Sequence, residues 1–295
     1  MGDSLKKLIK SWFLPPAIHL FMQNIKIKLS FYFLLSLKDR VLLSATNQLK
    51  NRHVGQRCFI LGAGSSVKAQ NIKKLADEVV ISVSNTFVHP DFKIVSPRYH
   101  VVPPLITSHG YLYSDEKFVD WLKGMETATG QAEMFFHIGD KAMIERNGLF
   151  RNRIVHWVEY TVWNEDFNTP IDLAMVPHVE SVSELAVTIA VYLGFDEIYL
   201  LGIDHDWFNG TLVHFYDNKS EHALRPDLKD LDFIDAELQM RRHANIFRKY
   251  KYLYSKMKNI FNANSDAKNY IDVFPKVEFD TLFPNQTPSK NLKSD

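Results

Sequence analysis

The stretch Leu193 to His205, LGFDEIYLLGIDH, constrains the fold more than any other part of the chain. Before it, Glu184 to Leu193 (ELAVTIAVYL) is apolar on most sides and carries small alanines, which predicts a helix packed against a sheet. Gly194 suits the left-handed position that ends a helix. Asp196-Glu197 make a polar corner. Ile198 to Ile203 then form an apolar run of the kind found in a parallel strand covered on both faces. The run stops at Gly202-Ile203-Asp204-His205-Asp206. In an open α/β sheet, ligands bind beyond the carboxyl ends of the strands, so Asp204, His205 and Asp206 fall where chemistry is expected, with Gly202 a candidate binding residue beside them. The same residues also suit a solvated acidic loop.

A second segment repeats the logic. Cys58-Phe59-Ile60-Leu61 reads as a buried strand, followed by Gly62-Ala63-Gly64-Ser65-Ser66 and a helical segment near Val67. Strand, glycine turn and helix N-terminus make an anion site from backbone N–H groups and the helix dipole, with Ser65 and Ser66 able to cap or to bond a ligand oxygen. The turn lacks the third Rossmann glycine and the P-loop lysine, so a plain strand–helix turn fits it too. Val79 to Ser84 predict another strand with Asn85 at its end, where an amide offers both a donor and an acceptor. Ser181 is a natural helix N-cap with Glu184 completing a capping box, and Ser183 lies beside it. Further strands are expected at 99–102, 132–137 and 259–265, and helices at 115–122, 141–147 and 232–253, the last with Arg241, Arg242, Arg248, Lys249 and Lys251 on its solvated face.

The densest polar and aromatic stretch is Asp204 to Asp217, DHDWFNGTLVHFYD. Asn209-Gly210 predicts a tight turn that brings His205 and His214 near one another. His214, His222 and Tyr216 join Asp204 and His205 as candidates for acid–base work, because imidazoles titrate near neutral pH. The spacing is no standard metal signature, and no metal is expected.

Composition bounds the alternatives. A net charge of +1 and a pI near 7.8 give no global attraction to nucleic acid. The single cysteine, Cys58, forbids an internal disulfide and fits a reducing, cytoplasmic setting. No segment supplies the ~20 apolar residues of a membrane span, and neither a signal peptide nor a myristoylation motif is expected. Residues 1–53 nevertheless read as an amphipathic helical arm in which Lys6, Lys7, Lys10, Lys26, Lys28 and Lys38 alternate with Trp12, Phe13, Phe21, Phe31, Tyr32 and Phe33. Such an arm suits the anionic inner face of a cell membrane, packing on the body, or packing on a second copy in a homo-oligomer. Residues 54–283 form the main domain, with a lid within 164–180 and 205–232, and 284–295 read as a disordered tail.

FILGAGSSVK, the strand ending at Asn85, SVSELAVTIAVYLGFDEIYLLGID and NGTLVHFYD occur in one order that resembles bacterial sialyltransferases of glycosyltransferase family 42 and related surface-polysaccharide enzymes. The resemblance spans roughly 58–280 and is close only in the glycine turn and the LGF-to-GID segment. It implies an α/β, single Rossmann-like domain with a mostly parallel sheet and a small lid. It also implies a nucleotide-sugar donor, CMP-linked and acidic in its sugar, used without a metal or other cofactor, and a glycan acceptor. Gly62, Ala63, Gly64, Ser65 and Ser66 would surround the donor phosphate, Asn85 would contact the nucleotide, and Ser181 and Ser183 fall where the family has a donor-binding Thr-Ser-Gly run. The family aids phosphate departure with tyrosines after the GID strand and uses a later histidine as base, here His214 or His222. Val182 in the serine run, the Asp204-His205-Asp206 sequence and the pairing of His214 with Tyr216 depart from the family pattern. The same glycine turn and GID strand resemble archaeal-type 6-hydroxymethylpterin pyrophosphokinases, which would give Asp204 and Asp206 a magnesium role with ATP. A non-catalytic nucleotide-binding or assembly protein is the third expectation.

Overall fold

The computed structural model describes residues 35–105, 115–160, 171–176, 179–205, 214–216, 236–264 and 271–284. Seven strands make one all-parallel sheet: β1 Arg57–Leu61, β2 Val79–Val83, β3 Tyr99–Val101, β4 Glu133–His137, β5 Val155–Val158, β6 Glu197–Leu201 and β7 Ile260–Asn262. Their order is β5-β4-β3-β2-β1-β6-β7, and every neighbouring pair is parallel. The chain thus builds outward from β1 to β5, then crosses back to lay β6 and β7 on the other side of β1. This is the Rossmann-like α/β architecture.

The central strands β1, β2 and β6 are apolar because both of their faces are covered. Cys58, Ile60, Ile81, Val83, Ile198 and Leu200 pack toward helices α5 (Val182–Leu193) and α6 (Ala236–Lys256). Their alternates Phe59, Leu61, Val80, Tyr199 and Leu201 pack on the opposite face against Val67, Ile72, Leu75 and Phe279. Farther along, Met134, Phe136 and Trp157 pack with Phe118, Trp121, Leu122 and Met125 of α3 (Asp115–Ala128). The remaining helices among the described residues are short: α1 Leu37–Ser44, α2 Phe92–Val95 and α4 Lys141–Arg146.

Helix α5 matches the sequence expectation closely. Ser181 caps it by accepting from the Ser183 N–H, and Gly194 ends it at φ 77°. Glu184 differs in detail. Its carboxylate accepts the N–H of Glu180, one residue ahead of the cap, and its other oxygen pairs with Lys249 Nζ of α6 at 2.8 Å. Both side chains are only 2% exposed. Lys249 is therefore not part of the solvated face assigned to it from sequence. Its four-carbon stem spans the α5–α6 contact and its ammonium meets the single buried acid of α5's first turn. Burial pushes the Glu184 carboxyl upward against the opposing pull of Lys249.

Two further expectations need correction. The turn after β1 forms one 3₁₀ stretch, Ser65–Ala69, and no α-helix, because Gln70 is extended with its amide on the Ala263 carbonyl. Residues 37–53, read as part of the arm, belong to the domain body. Leu43 and Leu49 are buried, and the N–H groups of Asn51 and His53 bond to the carbonyls of Tyr192 and Leu193 at the end of α5. The arm's residues 1–34 and the tail beyond 284 lie outside the described residues. Among the described residues no helix is long and apolar enough to cross a membrane.

Removing one member of a buried ion pair strands the other. Lys249→Met should therefore cost about 3–5 kcal/mol in urea denaturation, whereas the Lys249→Met, Glu184→Gln double variant should regain most of that loss. Equal stability of Lys249→Met and the unaltered chain would contradict the pairing.

Candidate functional site

The sheet reverses its direction of growth between β1 and β6, so the crevice outside their carboxyl ends is the topological switch point of this fold. Gly62 follows β1 and Gly202 follows β6. The two backbones approach so closely that a Cβ on either would collide with the other's carbonyl group. Gly202 has φ 61°, a left-handed conformation that glycine adopts without strain. The N–H groups of Gly62 and Gly64 donate to the carbonyls of Leu201 and Gly202, extending the parallel ladder beyond the strands.

Asp204 lies under this join, largely buried. One carboxylate oxygen accepts the Ser66 N–H at 3.0 Å and stands 3.5 Å from Ser65 Oγ, while the other accepts Ser66 Oγ. A side chain at Gly64 would collide with that carboxylate. The Ser66 amide, assigned from sequence to a ligand phosphate, thus holds an internal carboxylate. Asn264, just past β7, completes the join: its Oδ1 accepts the Ile203 N–H and its Nδ2 donates to the Ile203 carbonyl.

His214 and Tyr216 come back onto this rim. His214 forms an isolated antiparallel bridge with Gly64, and the Phe215 N–H donates to the Ala63 carbonyl at 3.1 Å. His214 Nδ1 lies 3.2 Å from the same carbonyl, which can only accept, so Nδ1 carries the proton. The lone pair of a neutral His214 is therefore on Nε2, which is buried and meets no hydrogen-bond partner among the described residues. Burial lowers the imidazole's pKa, opposed by the Ala63 bond and by the nearby Asp204 charge. The Tyr216 ring stacks on the imidazole at 4.8 Å, and its hydroxyl is bonded by Asn85 Nδ2 at 2.9 Å. Burial pushes the Tyr216 phenol up to about 12.

Of the residues singled out in the sequence, Gly62, Ala63, Gly64, Ser65, Ser66, Asn85, Gly202, Asp204, His214 and Tyr216 form one connected rim. His205 does not join it. At φ 49° its side chain turns into the protein, where Nε2 lies 2.8 Å from Tyr250 Oη of α6 and the ring meets His243 at 6.2 Å. Burial, with His243 adding a smaller push, lowers its pKa to about 3. The expected approach of His205 to His214 is replaced by separate engagement of α6 and of the glycine turn. Ser181 serves as the α5 cap, and Ser183 supplies the capped N–H. His222 and Asp206 lie outside the described residues, as does most of the expected lid. Sequence reasoning missed Asn264 and Trp121. Asn264 carries the same signal as Asn85, an amide at a strand's carboxyl end; the role of Trp121 depends on tertiary contact alone. Among the described residues no cluster of His, Cys, Asp and Glu is arranged to hold a metal ion.

No protein-family model matches the sequence, and no curated protein matches it significantly.

Two substitutions test the geometry. Gly202→Ala should destabilise by roughly 1–3 kcal/mol from the left-handed backbone alone, and more from the collision with Gly62. Asp204→Ala removes the carboxylate that accepts the buried Ser66 N–H and should cost about 1–3 kcal/mol; both losses are read by chemical denaturation.

Proposed function

We propose that this chain is a glycosyltransferase that takes a sugar from a nucleotide donor, CMP-linked with an acidic sugar, and passes it to a glycan acceptor of a surface polysaccharide or lipooligosaccharide. One observation carries this: an acceptor nitrogen on His214 and a protonated phenol on Tyr216 stacked together at the switch point of a Rossmann-like sheet, beside the buried amide of Asn85. The chemistry asks for two neutral groups of opposite sense. His214 Nε2 would take the proton of the acceptor hydroxyl as its oxygen attacks the anomeric carbon. Tyr216 would donate a hydrogen bond to the phosphate oxygen as the sugar–phosphate bond breaks and the nucleoside monophosphate departs. His222 remains the second candidate for the base.

The order of the glycine turn, the Asn85 strand and the GID strand supports a nucleotide sugar. A magnesium role for Asp204, required by the pyrophosphokinase alternative, would have to share a carboxylate that already accepts the Ser66 amide and hydroxyl. For the acceptor, Leu37 and Val41 are four residues apart on α1 and 73% and 69% exposed. They directly follow an arm with five lysines and one aspartate among residues 1–34. That combination fits peripheral contact with an anionic membrane bearing the acceptor.

Calorimetry with CMP, UDP, GDP and ATP, each with and without magnesium, tests the donor. Metal-independent CMP binding, weakened about tenfold or more by Asn85→Ala, the scale of a lost hydrogen bond, is the expected result. ATP binding only with magnesium would favour diphosphate transfer, and the absence of nucleotide binding would contradict the proposal. His214→Ala should reduce transfer about 100-fold with little change in nucleotide affinity. Because burial lowers the His214 pKa, the base form persists as pH falls, so transfer should hold its rate below the usual histidine midpoint of about 6.5. Cosedimentation with anionic vesicles should weaken in a Leu37→Ser, Val41→Ser variant; equal sedimentation with neutral vesicles would argue against the membrane contact.

A further inference from the structure

The sense of the Asn85–Tyr216 hydrogen bond decides what Tyr216 can do, and it is set from a neighbouring helix. Trp121 lies on α3, 36 residues along the chain from Asn85, and its indole Nε1 is 2.7 Å from Asn85 Oδ1. An indole N–H can only donate, so the atom facing it must be the amide oxygen. The amide is fully buried and has no freedom to take the opposite sense without losing this bond. With Oδ1 committed to Trp121, Nδ2 faces Tyr216, and Nδ2 cannot accept. The Tyr216 oxygen must therefore accept from Asn85, and its own hydrogen is left for another partner.

Packing holds the relay in place. Trp121 is buried between α3 neighbours Phe118, Leu122 and Met125, with the Phe87 ring at 6.4 Å. Asn85 and Phe87 share the single 3₁₀ turn Ser84–Val88 that follows β2. At the far end the Tyr216 ring stacks on His214, whose Nδ1 is tied to Ala63. Both ends of the chain of bonds are thus anchored to separate layers of the fold.

We infer that Trp121 is a positioning residue of the site: its indole N–H fixes the Asn85 amide, so that the Tyr216 hydroxyl accepts from the protein and donates to the ligand. The ligand's identity here rests on the proposed transferase; the relay itself does not. An O–H fixed in this sense is prepared for an oxygen that gains negative charge, the situation at a departing phosphate, and it costs no reorientation when the bond breaks. A phenol is protonated at neutral pH at its ordinary value, and burial raises this one further.

The test labels tyrosine with ¹³C at Cζ and reads the Tyr216 resonance and its C–O stretch, assigned by loss in Tyr216→Phe. Both report whether the hydroxyl accepts or donates. Asn85→Asp gives the reversed reference: Trp121 still donates to one carboxylate oxygen, and the other compels Tyr216 to donate. Trp121→Phe removes the indole N–H and frees the amide to turn. Its Tyr216 signals should move from the unaltered position toward those of Asn85→Asp. In transfer assays kcat should fall about tenfold, the scale of one hydrogen bond's net preference, with donor KM within about twofold. Should Trp121→Phe fail to fold, the benzothiophene analogue of tryptophan at 121 removes the N–H while keeping the ring's shape and gives the same readout. Tyr216 signals unchanged in a folded variant without the N–H would overturn the inference. A chain that shows the shift but neither binds nucleotide nor transfers sugar would sustain the relay and reject the transferase.

Discussion

Two neighbouring strands end by touching backbone to backbone, and the site depends on that contact. Side chains at Gly62 and Gly202 would force β1 and β6 apart. Their approach lets the ladder run past the strands, carries the turn 62–66 over Asp204, and offers Ala63 and Gly64 as the edge on which His214 and Phe215 land. Hydrophobic burial drives the sheet to assemble, but burial is non-directional. The direction comes from this join, where Asp204, Ser66, Asn264 and Ile203 exchange hydrogen bonds in one buried set. Such sets are worth having only when nearly complete, since each unpaired member in a low dielectric is costly.

The join also redistributes the chemistry. A glycine turn after a strand is ordinarily free to bind an anion, but here an internal carboxylate already takes the Ser66 amide. Among the described residues, the groups that remain at this edge are neutral ones: an imidazole nitrogen without its proton and a phenol with its proton. Burial drives both away from charge, lowering the imidazole pKa and raising that of the phenol. Both groups are mainly in these states at neutral pH with ordinary pKa values, and burial reinforces each, leaving one fit to accept a proton and the other fit to donate a hydrogen bond.

Much of this was legible in the sequence, and the reason is local. Ser181, the apolar run to Leu193 and Gly194 announce α5 because capping and periodicity act within a few residues. The buried strands announce themselves by unbroken apolar runs, and Asn85 and Asp204 by their places just beyond them. What stayed hidden depends on contacts between distant residues. Nothing near Lys249 signals that its ammonium reaches Glu184, 65 positions earlier, so a lysine among arginines on a helix was read as solvated. Nothing near Asp204 signals that the Ser66 amide is 138 positions away yet 3.0 Å distant. Trp121 was one more aromatic in a core-facing helix. The left-handed turn of His205, which aims the ring at Tyr250 and away from His214, is set by packing against α6. Residues 37–53 read as an arm because their amphipathic pattern is the same whether the apolar side meets lipid or the end of α5.

The proposed function holds a nucleotide at the carboxyl ends of β1, β2 and β6. The most direct measurement is the backbone amide spectrum of the labelled protein during titration with CMP. Saturable shifts are expected at Ala63, Ser66, Asn85 and Tyr216, with the opposite end of the sheet unmoved. That opposite end carries a cavity of about 460 Å³ lined by His53, Glu78, Ser96 and Arg98. Shifts confined to that cavity, with Asn85 and Tyr216 unmoved at saturation, would contradict the account.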